Sequence, residues 1–479
     1  MGHNMSGMQV EDIQGLLLRG YGALKGARYL GLRMTESRAA KQWLRALQVR
    51  DAREKPSESE TCVNVAFSAA GLAQLELPAH VREQFAPEFQ QGMAGTEHRQ
   101  RLLGDVDLAE PSQWRWGGPD NPEIHALLML FAQNEGAVEV LAAQHRERLA
   151  RAAIEVVVEL DTQTLPGFKE HFGFRDGISQ PQIAGWDAPG PEHNQIAAGE
   201  FVLGYDNAYG QLVERPLMAA ELDPEQLLPP APDQPARRDL GMNGSYLVFR
   251  QLDQDVRGFW DFIAQKAERD DLAARTRLAA KMVGRWPEGA PLVKAPHAPS
   301  PALSSDNDFL YVGSDDAHGF KCPIGAHVRR TNPRDALDPE PGSERSIEVG
   351  KRHRILRRGR TFGPPLAASM SVADLTAAAR DGAGRGLHFI CFNTHIGRQF
   401  EFIQHTWVNS PKFDGLYAED DPVIGPRKQA QNAPGGTFTM QAHPVRRRVT
   451  ELPRFVVMRG GGYFFLPGLR ALRFLAASG

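Results

Sequence analysis

Three short stretches of this 479-residue chain carry side chains that could do chemistry. In Gly173-Phe174-Arg175-Asp176-Gly177, continued by Ile178-Ser179-Gln180-Pro181, a carboxylate sits between glycines, on a loop whose backbone can come close to a ligand. Taken alone it reads as an ordinary Asp-Gly turn. In Cys322-Pro323-Ile324-Gly325-Ala326-His327-Val328-Arg329-Arg330 a histidine follows small residues that would let a flat ligand approach, although a lone histidine is more often structural. The third stretch, HRILRRGRTFG at 353–363, alternates like a strand and then turns at glycine. The second stretch and most of the third fall in residues 321–360, which hold eleven Lys/Arg against five Asp/Glu in a chain of net charge −3. A solvated arginine-rich surface would account for that surplus. So would an internal anion, with histidine on a metal and guanidinium groups such as Arg329 and Arg330 on carboxylates. No interleaved aromatics or nucleic-acid motif accompany these arginines, which favours the internal anion.

Taken together and in this order, the segments resemble the dye-decolorizing peroxidase family. Asp12-Ile13-Gln14-Gly15, followed by LRGYG, is similar to the opening of its longer bacterial members, and the resemblance runs from about residue 12 to the C-terminus. It implies a haem b peroxidase with His327 on the iron, since no Cys-x-x-Cys-His is present for covalent attachment. It implies Asp176 of the GxxDG motif as the distal proton shuttle. Arg357 becomes the distal cation, with adjacent Arg358 as the other candidate. Leu387 and Phe389 in RGLHFICFN become the apolar distal pair, and Asp421, with Asp420 beside it, the carboxylate partner of His327. The implied reaction reduces hydrogen peroxide through a ferryl intermediate and oxidises dyes, phenolics or other bulky reductants one electron at a time. Arg360-Thr361 departs from the family pattern, where an apolar residue and a proline are usual. Trp260 and Trp407 are candidate electron carriers to the surface, against the simpler reading as packed aromatics. Cys322 reads as a structural thiol. One alternative is a haem-handling protein of the same fold with little turnover. The other is a non-haem metalloenzyme using His171, His193 and His395, although no His-Glu-x-x-His is present.

These residues need a frame to hold them. Alternation at 28–33, a helix over 37–47, strands at 63–67 and 125–132, a helix over 136–151 and a strand at 154–160 read as βαββαβ, the ferredoxin-like or split-βαβ order. A short helical turn is expected at 69–77. Residues 215–238 hold six prolines and 285–303 five, so both read as loops. A strand at 245–252, helices over 256–269 and 271–283, a strand at 386–393, a helix over 397–405 and a strand at 454–458 repeat the first pattern on a larger scale. The expected fold is α+β: two ferredoxin-like modules with antiparallel sheets, at 1–214 and 241–479. A Pro-rich insertion or linker spans 215–240, and haem lies mainly in the C-terminal module.

Composition sets the outer bounds. Apolar residues are 42% and charged residues 24% of the chain, which suits a globular protein. Gly (47) and Pro (34) together make about 17%, above the roughly 12% of average usage, so loops should be many. No apolar run approaches the length of a membrane helix, and the first twenty residues lack the apolar core of a signal peptide. Three cysteines without CxxC spacing point to a reducing compartment. The expectation is a cytoplasmic enzyme, monomer or homo-oligomer, whose partners are hydrogen peroxide and an aromatic or dye-like donor. Nucleic acid and membrane are not expected as partners.

Overall fold

The computed structural model describes residues 7–427 and 435–477. Its centre is one antiparallel sheet of nine strands: β1 (Gly26–Met34), β2 (Cys62–Phe67), β3 (Ala126–Ala132), β4 (Ile154–Asp161), β5 (Ser245–Gln254), β6 (Leu356–Arg357), β7 (Arg360–Phe362), β8 (Gly386–Asn393) and β9 (Val456–Leu466). Across the sheet the order is β6-β8-β5-β9-β2-β3-β1-β4, with β7 also on β8. Each half has the ferredoxin-like arrangement, in which the first and third strands lie between the fourth and the second. The halves meet where Phe465 of β9 pairs with Phe67 of β2.

Local chemistry explains the elements. All seven residues of β3, ALLMLFA, are buried because the strand is central and covered on both faces. Three of the helices start where a side chain caps their free amides. Asn134 accepts from Ala137 N–H (2.9 Å) at α2 (Glu135–Arg151), which follows α1 (Ser37–Ala46). Asp255 accepts from Gly258 N–H (2.9 Å) at α3 (Val256–Lys266), and Asp271 from Ala274 N–H (2.7 Å) at α4 (Leu272–Val283). A short helix α5 (His327–Thr331) and a C-terminal α6 (Leu469–Ala477) complete the elements used below.

Two expected elements differ. The last strand runs over eleven residues rather than 454–458, because Gly460, Gly461 and Gly462 break the apolar pattern without breaking the strand. A Cβ on Gly460 would lie 2.4 Å from Trp116 Nε1, so glycine there admits a ring against the sheet. The segment expected as an α-helix at 397–405 is instead π-helical, over Gly397–Glu401 and Ile403–Val408. Residues 215–240 are packed against the body: Leu228 and Ala231 are buried, and Leu217–Ala219 pairs with Arg237–Asp239. Among the described residues no helix is long and apolar enough to cross a membrane.

Candidate active site

Alternation along three neighbouring strands builds one wall of a cavity. Arg250, Leu252 and Gln254 of β5, Leu387 and Phe389 of β8, and Val456 and Met458 of β9 share a face and line it. Further walls come from residues 103–105, 170–179, 353–357 and 423–426, α5 and the π-helical segment, so both halves of the chain contribute. The space is about 260 Å³, against the ~10–15 Å³ that a water-sized molecule occupies on the same measure. It is built for something far larger than peroxide.

His327 opens α5 and faces this cavity, 28% accessible where its ring forms part of the wall. Its Nδ1 meets Asp421 Oδ2 at 2.9 Å, which leaves Nε2 for the cavity. Asp421 is fully buried and its other oxygen accepts from Val423 N–H (2.8 Å) and Ile424 N–H (2.9 Å). Burial alone would raise its pKa; the His327 and Arg330 charges and these hydrogen bonds hold it below the ordinary carboxylate value. Asp420 points elsewhere, 3.7 Å from Arg427.

Asp176 and Arg357 line the same cavity. Arg357 Nη1 and Gly177 N–H both donate to Asp176 Oδ1, at 2.8 and 2.6 Å. Burial works against ionising this carboxyl, but the Arg357 charge and hydrogen bond outweigh it and hold the pKa below its usual value. Arg357 sits in β6 opposite Cys391 and is fixed by Gln180, whose amide bonds both its N–H (3.1 Å) and its carbonyl (3.0 Å). Arg358 turns away to the carbonyls of Leu16 and Leu17.

The multifunctional dye peroxidase DyP2 of Amycolatopsis is 36% identical over 385 residues, covering 77% of this chain and 75% of that protein. The chain belongs to the dye-decolorizing peroxidase family. Members are haem enzymes that use hydrogen peroxide, and this protein is a peroxidase by that membership. The dye-decolorizing peroxidase of Exidia glandulosa is 30% identical over 432 residues, 86% of this chain and 74% of that one. The structure of the fungal DyP-type peroxidase from Auricularia auricula-judae superimposes with a TM-score of 0.77 at 25% identity, over 99% of this chain and all of that one. A dye-decolorizing peroxidase in complex with 2,6-dimethoxyphenol matches at 0.77 and 26%, over 98% of this chain. No protein-family model matches the chain.

In this dye-decolorizing peroxidase the expectation for Arg329 and Arg330 is corrected. Both are fully buried and do not line the cavity: the Nη atoms of Arg330 go to backbone carbonyls, and those of Arg329 to carbonyls and to the Asp316 carboxylate (3.3 Å). Arg329 donates to Asp316 O (2.9 Å) and Cys322 O (3.0 Å), tying down the loop before His327. Arg330 donates to Trp407 O (2.6 Å) and Ser410 O (3.1 Å), and also to Glu419 O. It therefore fastens the chain that leads to Asp421 onto the helix that carries His327. The tryptophans lie inside as well: Trp260 is edge-on to Phe259 (5.2 Å) with no exposure, and Trp407 is 5% exposed, edge-on to His353 (5.2 Å). His171, His193 and His395 take separate partners, and no group of three or more metal-ligating side chains is arranged for a metal among the described residues.

Sequence reasoning missed Gln180, Glu170 and Arg354, each inside or beside a quoted motif yet given no role. Arg354 is buried, lines the cavity, and its Nη2 has no hydrogen-bond partner among the described residues. Burial and the nearby Arg334 and Arg357 charges pull its pKa down to about 9.

Proposed function

We propose that the cavity holds haem b through His327 Nε2, and that the protein reduces hydrogen peroxide while oxidising dyes, phenolics or similar aromatic donors one electron at a time. The observation that carries this reading is a single cavity that presents a carboxylate-backed imidazole together with an Asp–Arg pair. The fit to haem has independent support: the walls are largely apolar, as a flat macrocycle requires, and Arg354 offers an unpaired buried guanidinium suited to a propionate.

When bound, haem supplies the redox chemistry by which peroxide is reduced and the donor oxidised. The chain's own residues handle protons, charge and position. Asp421 fixes the tautomer of His327 and makes its free nitrogen a stronger donor. Asp176 stands ionised with Oδ1 occupied by Arg357 and Gly177, so Oδ2 is the atom that takes a proton from peroxide and returns it to the departing oxygen. The Arg357 guanidinium balances negative charge as the O–O bond parts. Leu387 and Phe389 keep that region apolar, with Phe389 resting 6.2 Å from the Phe400 ring.

The test is an absorption spectrum of the haem-loaded protein with steady-state turnover of Asp176→Ala and Arg357→Leu. A Soret band lost in His327→Ala, and peroxide kcat/KM reduced about 10²- to 10⁴-fold in the two distal variants, are expected. Haem binding with turnover unchanged in both variants would refute the assignment, and haem binding with negligible wild-type turnover would favour haem handling. A cytoplasmic setting belongs to the same reading, supported by free, buried thiols at Cys62, Cys322 and Cys391, and cell fractionation tests it.

A further inference from the structure

The cavity contains a second carboxyl that the mechanism above does not use. Glu170 lies six residues before Asp176 and lines the same space. Residues 168–176 form a tight hairpin. Asp176 N–H donates to Phe168 O (3.0 Å), Glu170 N–H to Phe174 O (2.9 Å) and Gly173 N–H to Glu170 O (2.8 Å). Gly173 turns the chain at φ 92°, a conformation that favours glycine. Asp176 thus stands at the open end of the hairpin and Glu170 at its closed end.

The Glu170 side chain folds back into that closed end. Its oxygens accept from Phe172 N–H (2.9 Å) and Phe174 N–H (3.2 Å), and from Gln254 Nε2 (2.7 Å) at the last residue of β5. Two donors belong to the hairpin and one to the sheet, so a single carboxyl joins them. Phe172 and Phe174 are themselves buried, which leaves their amides little recourse to water. Burial, with the neighbouring Asp176 charge, pushes the acid up to about 7 despite three donors. A carboxyl that takes two hairpin amides and a strand side chain at the edge of a cavity is held for position.

We infer that Glu170 is the positioning residue of Asp176: its carboxyl locks the hairpin onto β5 and so fixes where the Asp176 carboxylate stands. The inference rests on the reading of Asp176 as the group that moves the proton. Glutamine at 170 keeps one acceptor oxygen for the hairpin amides, whereas alanine keeps none.

The experiment is a double-mutant cycle on the haem-loaded enzyme, reading kcat/KM for hydrogen peroxide in Glu170→Ala, Glu170→Gln, Asp176→Ala and Glu170→Ala/Asp176→Ala. Glu170→Ala should lose tenfold or more with KM for the aromatic donor unchanged, and Glu170→Gln should recover most of that loss. The double variant should be no slower than Asp176→Ala, because a residue acting through Asp176 then has nothing left to act on. Independently of turnover, amide hydrogen exchange at Phe172 and Phe174 should accelerate in Glu170→Ala with no peroxide or donor present. If Glu170→Ala does not fold, Glu170→Gln carries the cycle with a smaller loss and the same non-additivity. An impaired Asp176→Ala beside an unimpaired Glu170→Ala, or losses that multiply in the double variant, would overturn the inference. An unimpaired Asp176→Ala would overturn the reading of Asp176 instead.

Discussion

A carboxylate that must be charged before it can take a proton needs a neighbour that keeps it so in acid, and for Asp176 that neighbour is Arg357. The two sit 2.8 Å apart, half-buried on the cavity wall, where desolvation by itself would push the acid upward. With Arg357 present the folded pKa lies below the ordinary ~3.9, so Asp176 remains a base as pH falls to about that value and is neutralised only below it. The acid limb of the peroxide reaction should therefore lie below about pH 4 in the wild type, in stopped-flow measurements across pH. In Arg357→Leu the burial contribution is left unopposed by that charge, and the limb should move to higher pH. A limb at the same pH in both proteins would disconnect Arg357 from the ionisation of Asp176. The proximal side follows a similar logic, since Asp421 stays ionised through His327, Arg330 and two backbone amides.

At the scale of elements, strands and loops deliver these residues through period-two alternation and tight turns. That alternation made much of the frame legible in the sequence: GLHFICFN reads as a strand, and its Leu387 and Phe389 do share one face. The final strand was harder to read because three glycines replaced the apolar positions, and at Gly460 the reason is a ring from elsewhere in the chain. Trp116 lies against Gly460 and donates its indole N–H to Gln251 (2.8 Å). Gly460→Ala should cost about 1–3 kcal/mol, read as a lowered midpoint in denaturant unfolding, with Trp116 displaced. The same limit explains Arg329 and Arg330. Composition marked a basic segment correctly, but only tertiary structure decides which guanidinium groups meet carbonyls and which reach the cavity. Glu170, too, looks like one charged residue among several in KEHFGFRDG until β5 brings Gln254 beside it.

At the scale of the whole molecule, the sequence divides into two similar halves whereas the backbone makes one sheet. β9 from the end of the chain pairs with β2 from its beginning, and Phe465 and Phe67 are both without exposure at that seam. The cavity likewise draws on residues 103–105 and 170–179 as well as the C-terminal strands. The halves should therefore unfold together: hydrogen exchange at β3 and at β8 should follow one denaturant midpoint, and Phe465→Ala should lower both, by about 3–5 kcal/mol. Two separate midpoints would mean that the seam does not couple them. On the haem reading proposed above, Arg354 Nη2, without a partner among the described residues, has a consequence at this scale too. A chain that completes its interior only when an anionic cofactor arrives is most stable when loaded, by about 4 kcal/mol at a free cofactor level a thousand times its Kd. Copies made faster than haem is supplied would spend more time open to proteases, so the amount of this protein in a cell should track haem supply even where its transcription does not.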